Sequence, residues 1–369
     1  MHHDSTRLDK SCSEMKKEIG SIFPLPNVVI SQAESEQLQY TGNRIHYSLC
    51  REALCDIAHA LDKTGKKVLI PAYTCQTVIT PFEEAGWQCE YYSIKRNLRI
   101  DLRSLENAIV KNNPSILVVH PYFGMDLNEE EIIFLNGIKE KGVAIVLDLT
   151  QCLFSTKRYP FATFIVASYR KWMPIPDGGY LINNTDYIHI TQPETENKEF
   201  TEREIAAMYL RSQYFGNEEQ RTKAISIRLS KSADHIADSN IAPHKMSQVA
   251  YNLLAKEDLE KNQRSRFDNY TYLFNNIQEC EKITKVCKNM SDVTTAPLYF
   301  TIFVQNRPAL QSILAQDSIY APVIWPVEDE SVLIDDEVRY IYEHILAIPC
   351  DQRYDENDMC RAVEVINNY

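Results

Sequence analysis

At 369 residues and 42.7 kDa the chain is longer than one hydrophobic core usually serves, so a large domain with a smaller companion is expected. The formal charge of -12, with acids and bases interspersed and no long basic face, excludes the usual nucleic-acid binder. Hydrophobic content of 44% with 24% charged residues is that of a globular protein, and no stretch approaches the ~18 apolar residues of a membrane span.

The polar start, Met1 to Lys17, lacks the apolar core of a signal peptide, so a soluble, cytoplasmic protein is expected. From 44 to about 183, short apolar runs alternate with helical patterns. Leu54, Ile57, Ala58 and Leu61 share one helical face, residues 68–70 read as a strand, and Val78, Ile79, Phe82 and Ala85 resume the helical period. Leu102, Leu105 and Ile109 mark another helix, 116–119 a buried strand, 132–138 a helix, and 143–147 a second buried strand ending at Asp148. A strand-like run at 164–167 breaks into Ser168-Tyr169-Arg170-Lys171-Trp172, and 180–182 forms a strand after Gly178-Gly179. This layering predicts an α/β fold, a three-layer large domain over 1–240, whose ligands gather where the strands end. Residues 185–199 read as a polar surface excursion, with helix returning near Glu202. After Pro243 a long helical stretch, a strand at 298–304, a helix near Leu310, a strand at 321–324 and terminal helices predict a smaller α+β domain over 241–369.

The ten cysteines are scattered without a CxxC pair and the histidines form no HExxH or Cys/His cluster, so reduced thiols and no metal are expected. The chemistry sits elsewhere. Lys171 follows Asp148 by 23 residues, and both stand at strand ends. Pyridoxal 5'-phosphate needs an amine to hold it as a Schiff base and a carboxylate to keep its ring nitrogen protonated, and this pair supplies both. At ~4 Å and an effective dielectric of ~20 that carboxylate attracts the ring by about 4 kcal/mol before desolvation. Read singly, Lys171 is a solvated loop residue and Asp148 a turn cap; a carboxylate ending an apolar strand is costly unless a cation meets it. Arg170 and Trp172 flank the lysine with the charge and apolar surface that lower an amine's pKa.

Gln151 is placed to donate to the ring's phenolic oxygen. Ser168, three residues before the lysine, is placed to offer its hydroxyl to the phosphate. The helix start at Cys50-Arg51 offers free N–H groups and a dipole favouring an anion by ~0.3–2 kcal/mol. Cys50 stands where close backbone approach favours glycine, and Tyr73, Thr74 and Cys75 follow a buried strand from which they face the ring's other side.

With Ile70-Pro71-Ala72-Tyr73-Thr74-Cys75, Asp148-Leu149-Thr150-Gln151, Ser168-Tyr169-Arg170-Lys171, Pro176-Asp177-Gly178-Gly179 and Ile348-Pro349-Cys350-Asp351-Gln352-Arg353-Tyr354, the chain resembles the DegT-type sugar aminotransferases, a branch of fold type I. The resemblance implies a Schiff base at Lys171, Asp148 on the pyridine nitrogen, Gln151 beside the ring, and a homodimer. It also implies that an amino donor, typically glutamate, supplies the nitrogen for a nucleotide-linked keto sugar, with Lys171 as proton shuttle. The chain departs from the pattern where the phosphate serine is Val166, the ring-stacking aromatic is Cys75, the helix-start glycine is Cys50 and an arginine is Lys245. Two other readings stand beside this one: a desulfurase-like lyase using Cys75 or Cys152 as sulfur acceptor, and a non-catalytic cofactor-binding or interaction protein on the same scaffold.

Overall fold

The computed structural model describes residues 17–27, 44–61, 66–217, 219–239 and 241–369; the polar leader at 1–16 lies outside them. The organising element is a seven-stranded sheet in the order β1-β7-β6-β5-β4-β2-β3. Its strands are β1 (Arg44–Tyr47), β2 (Lys67–Pro71), β3 (Gln88–Tyr92), β4 (Ile116–Val119), β5 (Ala144–Asp148), β6 (Phe164–Ser168) and β7 (Gly179–Asn183). β2 to β6 run parallel, while β7 returns antiparallel to β6 and β1 antiparallel to β7.

The central runs ILVV and AIVLD are buried at every position, the pattern of strands covered on both faces. The covering helices include α1 (Cys50–Ala60), α2 (Gln76–Glu84), α3 (Leu102–Asn112) and α4 (Glu129–Glu140). α3 and α4 begin with side-chain caps from Asp101 and Asn128, the latter a reciprocal capping box with Glu131. The start of α1, after Leu49, carries no side-chain cap, which leaves its first N–H groups for another acceptor.

After β7, α5 (Lys198–Asn217) and α6 (Gln220–Ser239) form a helical hairpin. It is tied to the body through Glu18, whose carboxylate pairs with Arg211 and Lys223 and accepts the Tyr214 hydroxyl at 2.9 Å. The remainder comprises α7 (Gln248–Leu254), α8 (Leu259–Asn276), β8 (Ile283–Lys285), β9 (Tyr299–Val304), α9 (Arg307–Gln316), α10 (Asp336–His344), β10 (Ile345–Pro349) and α11 (Glu356–Asn367). Its three strands form an antiparallel sheet, β10-β9-β8.

Two expectations are corrected here. Residues 321–324 are not a strand: Pro322 has no N–H for a ladder, its carbonyl accepts Ala347 N at 3.2 Å, and the chain turns at Trp325 with φ 58°. Between the terminal helices lies β10, where only helix was expected.

Candidate cofactor site

Because β2, β4, β5 and β6 run parallel, their carboxyl ends lie along one edge of the sheet and the loops that follow meet there. Cys50, Arg51, Cys75, His120, Asp148, Thr150, Gln151, Lys171 and Trp325 line one narrow cleft of ≈ 30 Å³ along that edge. Of the residues singled out from sequence, Lys171, Asp148, Gln151, Cys50, Arg51 and Cys75 meet in this lining.

Asp148 is the last residue of β5 and 7% exposed. Its Oδ1 accepts the Thr150 N–H at 2.8 Å, and its Oδ2 lies 3.9 Å from His120 Nδ1. Burial holds His120 down to a pKa of about 4, despite the opposing pull of Asp148, so the imidazole is neutral at ordinary pH. Among the described residues Asp148 has no other ion-pair partner. A buried carboxylate facing a cleft with only a neutral imidazole beside it fits the protonated nitrogen of a pyridine ring.

Gln151 is buried, and its carboxamide oxygen accepts Phe123 N at 3.2 Å. The amide nitrogen is thereby the end left for the cleft. Lys171 is exposed within the turn between β6 and β7. Arg170 reaches α6, where it pairs with Asp234 at 3.3 Å, and Arg51 likewise pairs with Asp238 on α6.

Ser168 is buried and stands outside this lining. It pairs across the sheet with Gly179, so the two Cβ directions share a face. A Cβ on Gly179 would lie 2.7 Å from Cys50 N and 3.0 Å from Cys50 Cα. That face is therefore the one against which the uncapped start of α1 rests, and Ser168 points toward the same helix terminus. The close approach anticipated at Cys50 is met from the other side, by the glycine at 179. Asp177, in the same turn, accepts Ser247 N at 3.1 Å, Ser247 Oγ at 2.8 Å and Thr201 Oγ1 at 3.2 Å; burial still pushes its pKa up to about 6.

His120 and Trp325 went unrecognised in the sequence as site residues. For His120 the signal was present: a histidine follows four wholly apolar residues at the end of β4, one strand over from Asp148. Trp325 arrives from the distant C-terminal portion, with ring centroids 4.9 Å from Tyr73 and 5.9 Å from His120, and no local pattern announces it. Tyr73 is fully buried, with its hydroxyl on Ile324 O at 3.3 Å, and belongs to the core.

Lys171 also borders a second, larger cleft of ≈ 740 Å³ between the 20–23 segment, α6 and the C-terminal portion; Lys223, Lys231, Arg353 and Tyr320 are among its lining. Among the described residues no cluster of His, Cys, Asp and Glu has the arrangement of a metal site, and no helix is long and apolar enough to cross a membrane.

No protein-family model matches the sequence, and neither does any curated protein. Solved structures do match in fold. The sugar aminotransferase CalS13 from Micromonospora echinospora is 14% identical with a TM-score of 0.61, over 88% of this chain and 87% of that one. A DegT DnrJ EryC1 StrS aminotransferase from Brucella abortus is 13% identical with a TM-score of 0.61, over 88% and 85%. NtdA from Bacillus subtilis, solved with bound cofactor PMP, is 15% identical with a TM-score of 0.62, over 88% and 72%. The chain thus has the α/β fold of these fold type I aminotransferases, as expected from its sequence.

Proposed function

We propose that the chain is a pyridoxal-phosphate-dependent aminotransferase that places an amino group on a keto sugar. One observation carries the reading: a buried carboxylate without a cationic partner among the described residues, Asp148, shares a cleft with Lys171 and the uncapped start of α1. The fold of sugar aminotransferases supports it.

When bound, the cofactor supplies an electron sink that makes the substrate's Cα proton removable. The protein's own groups do the rest. Lys171 Nζ would hold the cofactor, and the lysine amine set free when the substrate's own amine takes its place would carry the proton from substrate Cα. Asp148 would keep the ring nitrogen protonated, and the Gln151 amide nitrogen would donate to the phenolic oxygen. The phosphate would be held by the first N–H groups of α1, at Cys50 and Arg51; the Ser168 hydroxyl, on the same face of the sheet, stands outside the cleft lining. Cys75 and Trp325, which line the cleft, would keep water from the ring. The larger cleft that Lys171 borders takes the substrate.

In finer terms the amino donor is glutamate, the acceptor a nucleotide-linked keto sugar and the working unit a homodimer, as the resemblance implies; a product for surface polysaccharide and a cytoplasmic address complete the reading. The domains divide at 240, large then small.

The test is borohydride reduction of the purified, cofactor-loaded chain followed by peptide mapping. A pyridoxyl adduct on Lys171 is expected, and an adduct elsewhere or none overturns the reading. Glutamate should convert the bound cofactor to pyridoxamine phosphate and bleach its visible absorbance; sulfur released from cysteine without that conversion would favour the lyase. Cys152 is fully buried and its thiol pKa is pushed far up by burial, so any sulfur acceptor is Cys75, which lines the cleft. Absence of turnover with any amino donor and keto sugar, alike in wild type and Lys171→Ala while partner binding persists, would leave only the non-catalytic binding protein.

A further inference from the structure

Trp172, the residue after Lys171, is held from three directions. Its indole N–H donates to Thr150 O at 2.7 Å, in the turn that follows Asp148. Its carbonyl accepts two bonds, from Arg266 Nη2 at 3.1 Å and from Gln352 Nε2 at 2.7 Å. Arg266 belongs to α8 and Gln352 to the loop after β10, so both donors come from the C-terminal portion. The Arg266 guanidinium also lies 4.6 Å from the Trp172 ring centroid.

Arg266 and Trp172 are each 1% exposed. Among the described residues Arg266 has no ion pair. A second nitrogen, Nη1, reaches Leu298 O at 3.3 Å and Pro297 O at 3.5 Å, the buried Nε finds no acceptor among the described residues, and the nearby Asp351 is held by Arg353 at 2.7 and 2.8 Å. Burying a guanidinium without a counter-ion is expensive, and an apolar side chain would fill the same space more cheaply. What only the guanidinium provides is a rigid planar fork that reaches carbonyls of two separate segments while stacking on an indole. Gln352 adds the second donor, so both lone pairs of the Trp172 carbonyl are used.

We propose that Arg266 and Gln352 are positioning residues for the amine of Lys171, clamping the Trp172 carbonyl so that the lysine is fixed relative to Asp148. The inference rests on the cofactor reading above. The indole bond ties the lysine turn to the Asp148 turn, and the two carbonyl bonds tie it to the C-terminal portion. Lys171 Nζ is thereby referenced to both walls of its cleft. Neither Arg266 nor Gln352 touches a reacting atom; each acts on Lys171 through the peptide next to it, and misplacement by about 1 Å costs on the order of 100-fold in rate.

The experiment compares the cofactor-loaded wild type with Arg266→Met, Gln352→Met and the double variant. Each is labelled with borohydride and followed through a single glutamate half-transfer. The wild type should label on Lys171. In both single variants the half-transfer rate should fall roughly 10- to 100-fold, with the KM for glutamate held within about twofold. The double variant should be no slower than the worse single one by more than about threefold, since both side chains act on one carbonyl. Rates within about twofold of wild type, a loss expressed in KM alone, or penalties that multiply would overturn the clamp. Gln352 is only half-buried, so Gln352→Met decides the matter if Arg266→Met fails to fold. A wild-type chain that takes no label on Lys171 overturns the cofactor reading, and the clamp with it.

Discussion

Asp148 ends β5 and His120 directly follows the adjacent parallel strand β4, and the two face each other across 3.9 Å, Oδ2 to Nδ1. The histidine is neutral, because burial outweighs the carboxylate's pull. The pair is therefore a single negative charge at the floor of a cleft, oriented on one side by Thr150 N and bordered on the other by an uncharged ring.

That charge can be removed without disturbing its surroundings. Asp148→Asn keeps an oxygen for the Thr150 N–H and loses only the anion. With an attraction of about 4 kcal/mol at stake, the glutamate half-transfer should slow by ~100-fold or more, a tenfold change corresponding to ~1.4 kcal/mol. Stopped-flow absorbance measures it; a rate within fivefold of wild type would remove Asp148 from the chemistry.

Gly179→Ala would set a methyl against the backbone of Cys50, at 2.7 Å from its nitrogen, and backbone cannot swing away as a side-chain tip can. Overpacking of this kind costs about 1–3 kcal/mol, and the start of α1 must shift. Urea denaturation should register the loss, and cofactor affinity should fall with it. Gly137→Ala is the control, since nothing lies within 4 Å of its would-be Cβ on α4; it should be neutral or stabilising by up to ~1 kcal/mol.

The cofactor-free protein should weaken in acid partly through His120. Folding lowers its pKa from 6.5 to about 4, so between those values the unfolded chain binds the proton that the folded one refuses. The stability is whole above pH 6.5 and falls as pH drops toward 4, by at most about 3 kcal/mol. Asp177, raised from 3.8 to about 6, has the opposite sign: its contribution is present below 3.8 and lost as pH rises through 6. His120→Asn isolates the first effect. The stability gap between wild type and variant should shrink on going from pH 7 to pH 4 in paired urea titrations, and a constant gap would contradict the assignment.

Trp325 is held at φ 58°, a conformation uncommon for a bulky residue and tolerated by asparagine. Trp325→Asn therefore removes the ring without adding strain. Aromatic contacts of this kind are worth about 0.5–1.5 kcal/mol, so the dissociation constant for pyridoxal phosphate should rise roughly two- to tenfold. Equilibrium dialysis of the cofactor checks this, and unchanged affinity would mean that the ring lies clear of the bound group.

The core of the site was legible because β5 and β6 are short, apolar and followed by polar residues, so Asp148 and Lys171 stand out at their ends. What escaped was whatever depends on distant partners. β3, QCEYY, is an edge strand with little apolar alternation, and its pairing with β2 alone makes it a strand. Residues 321–324 have strand-like composition, yet the proline among them denies the ladder a donor. Trp325 reaches the cleft only through the packing of the C-terminal portion, and Ser168, placed in sequence beside the phosphate, lies on the right face but behind the cleft wall.

Both ends of the Lys171 turn are stitched into neighbouring strands, Ser168 opposite Gly179, and its middle is bolted at Trp172. A stretch bracketed this way tolerates exchange of its letters far better than a change in their number. A single residue inserted between 169 and 177 should do more harm than any one substitution at those positions.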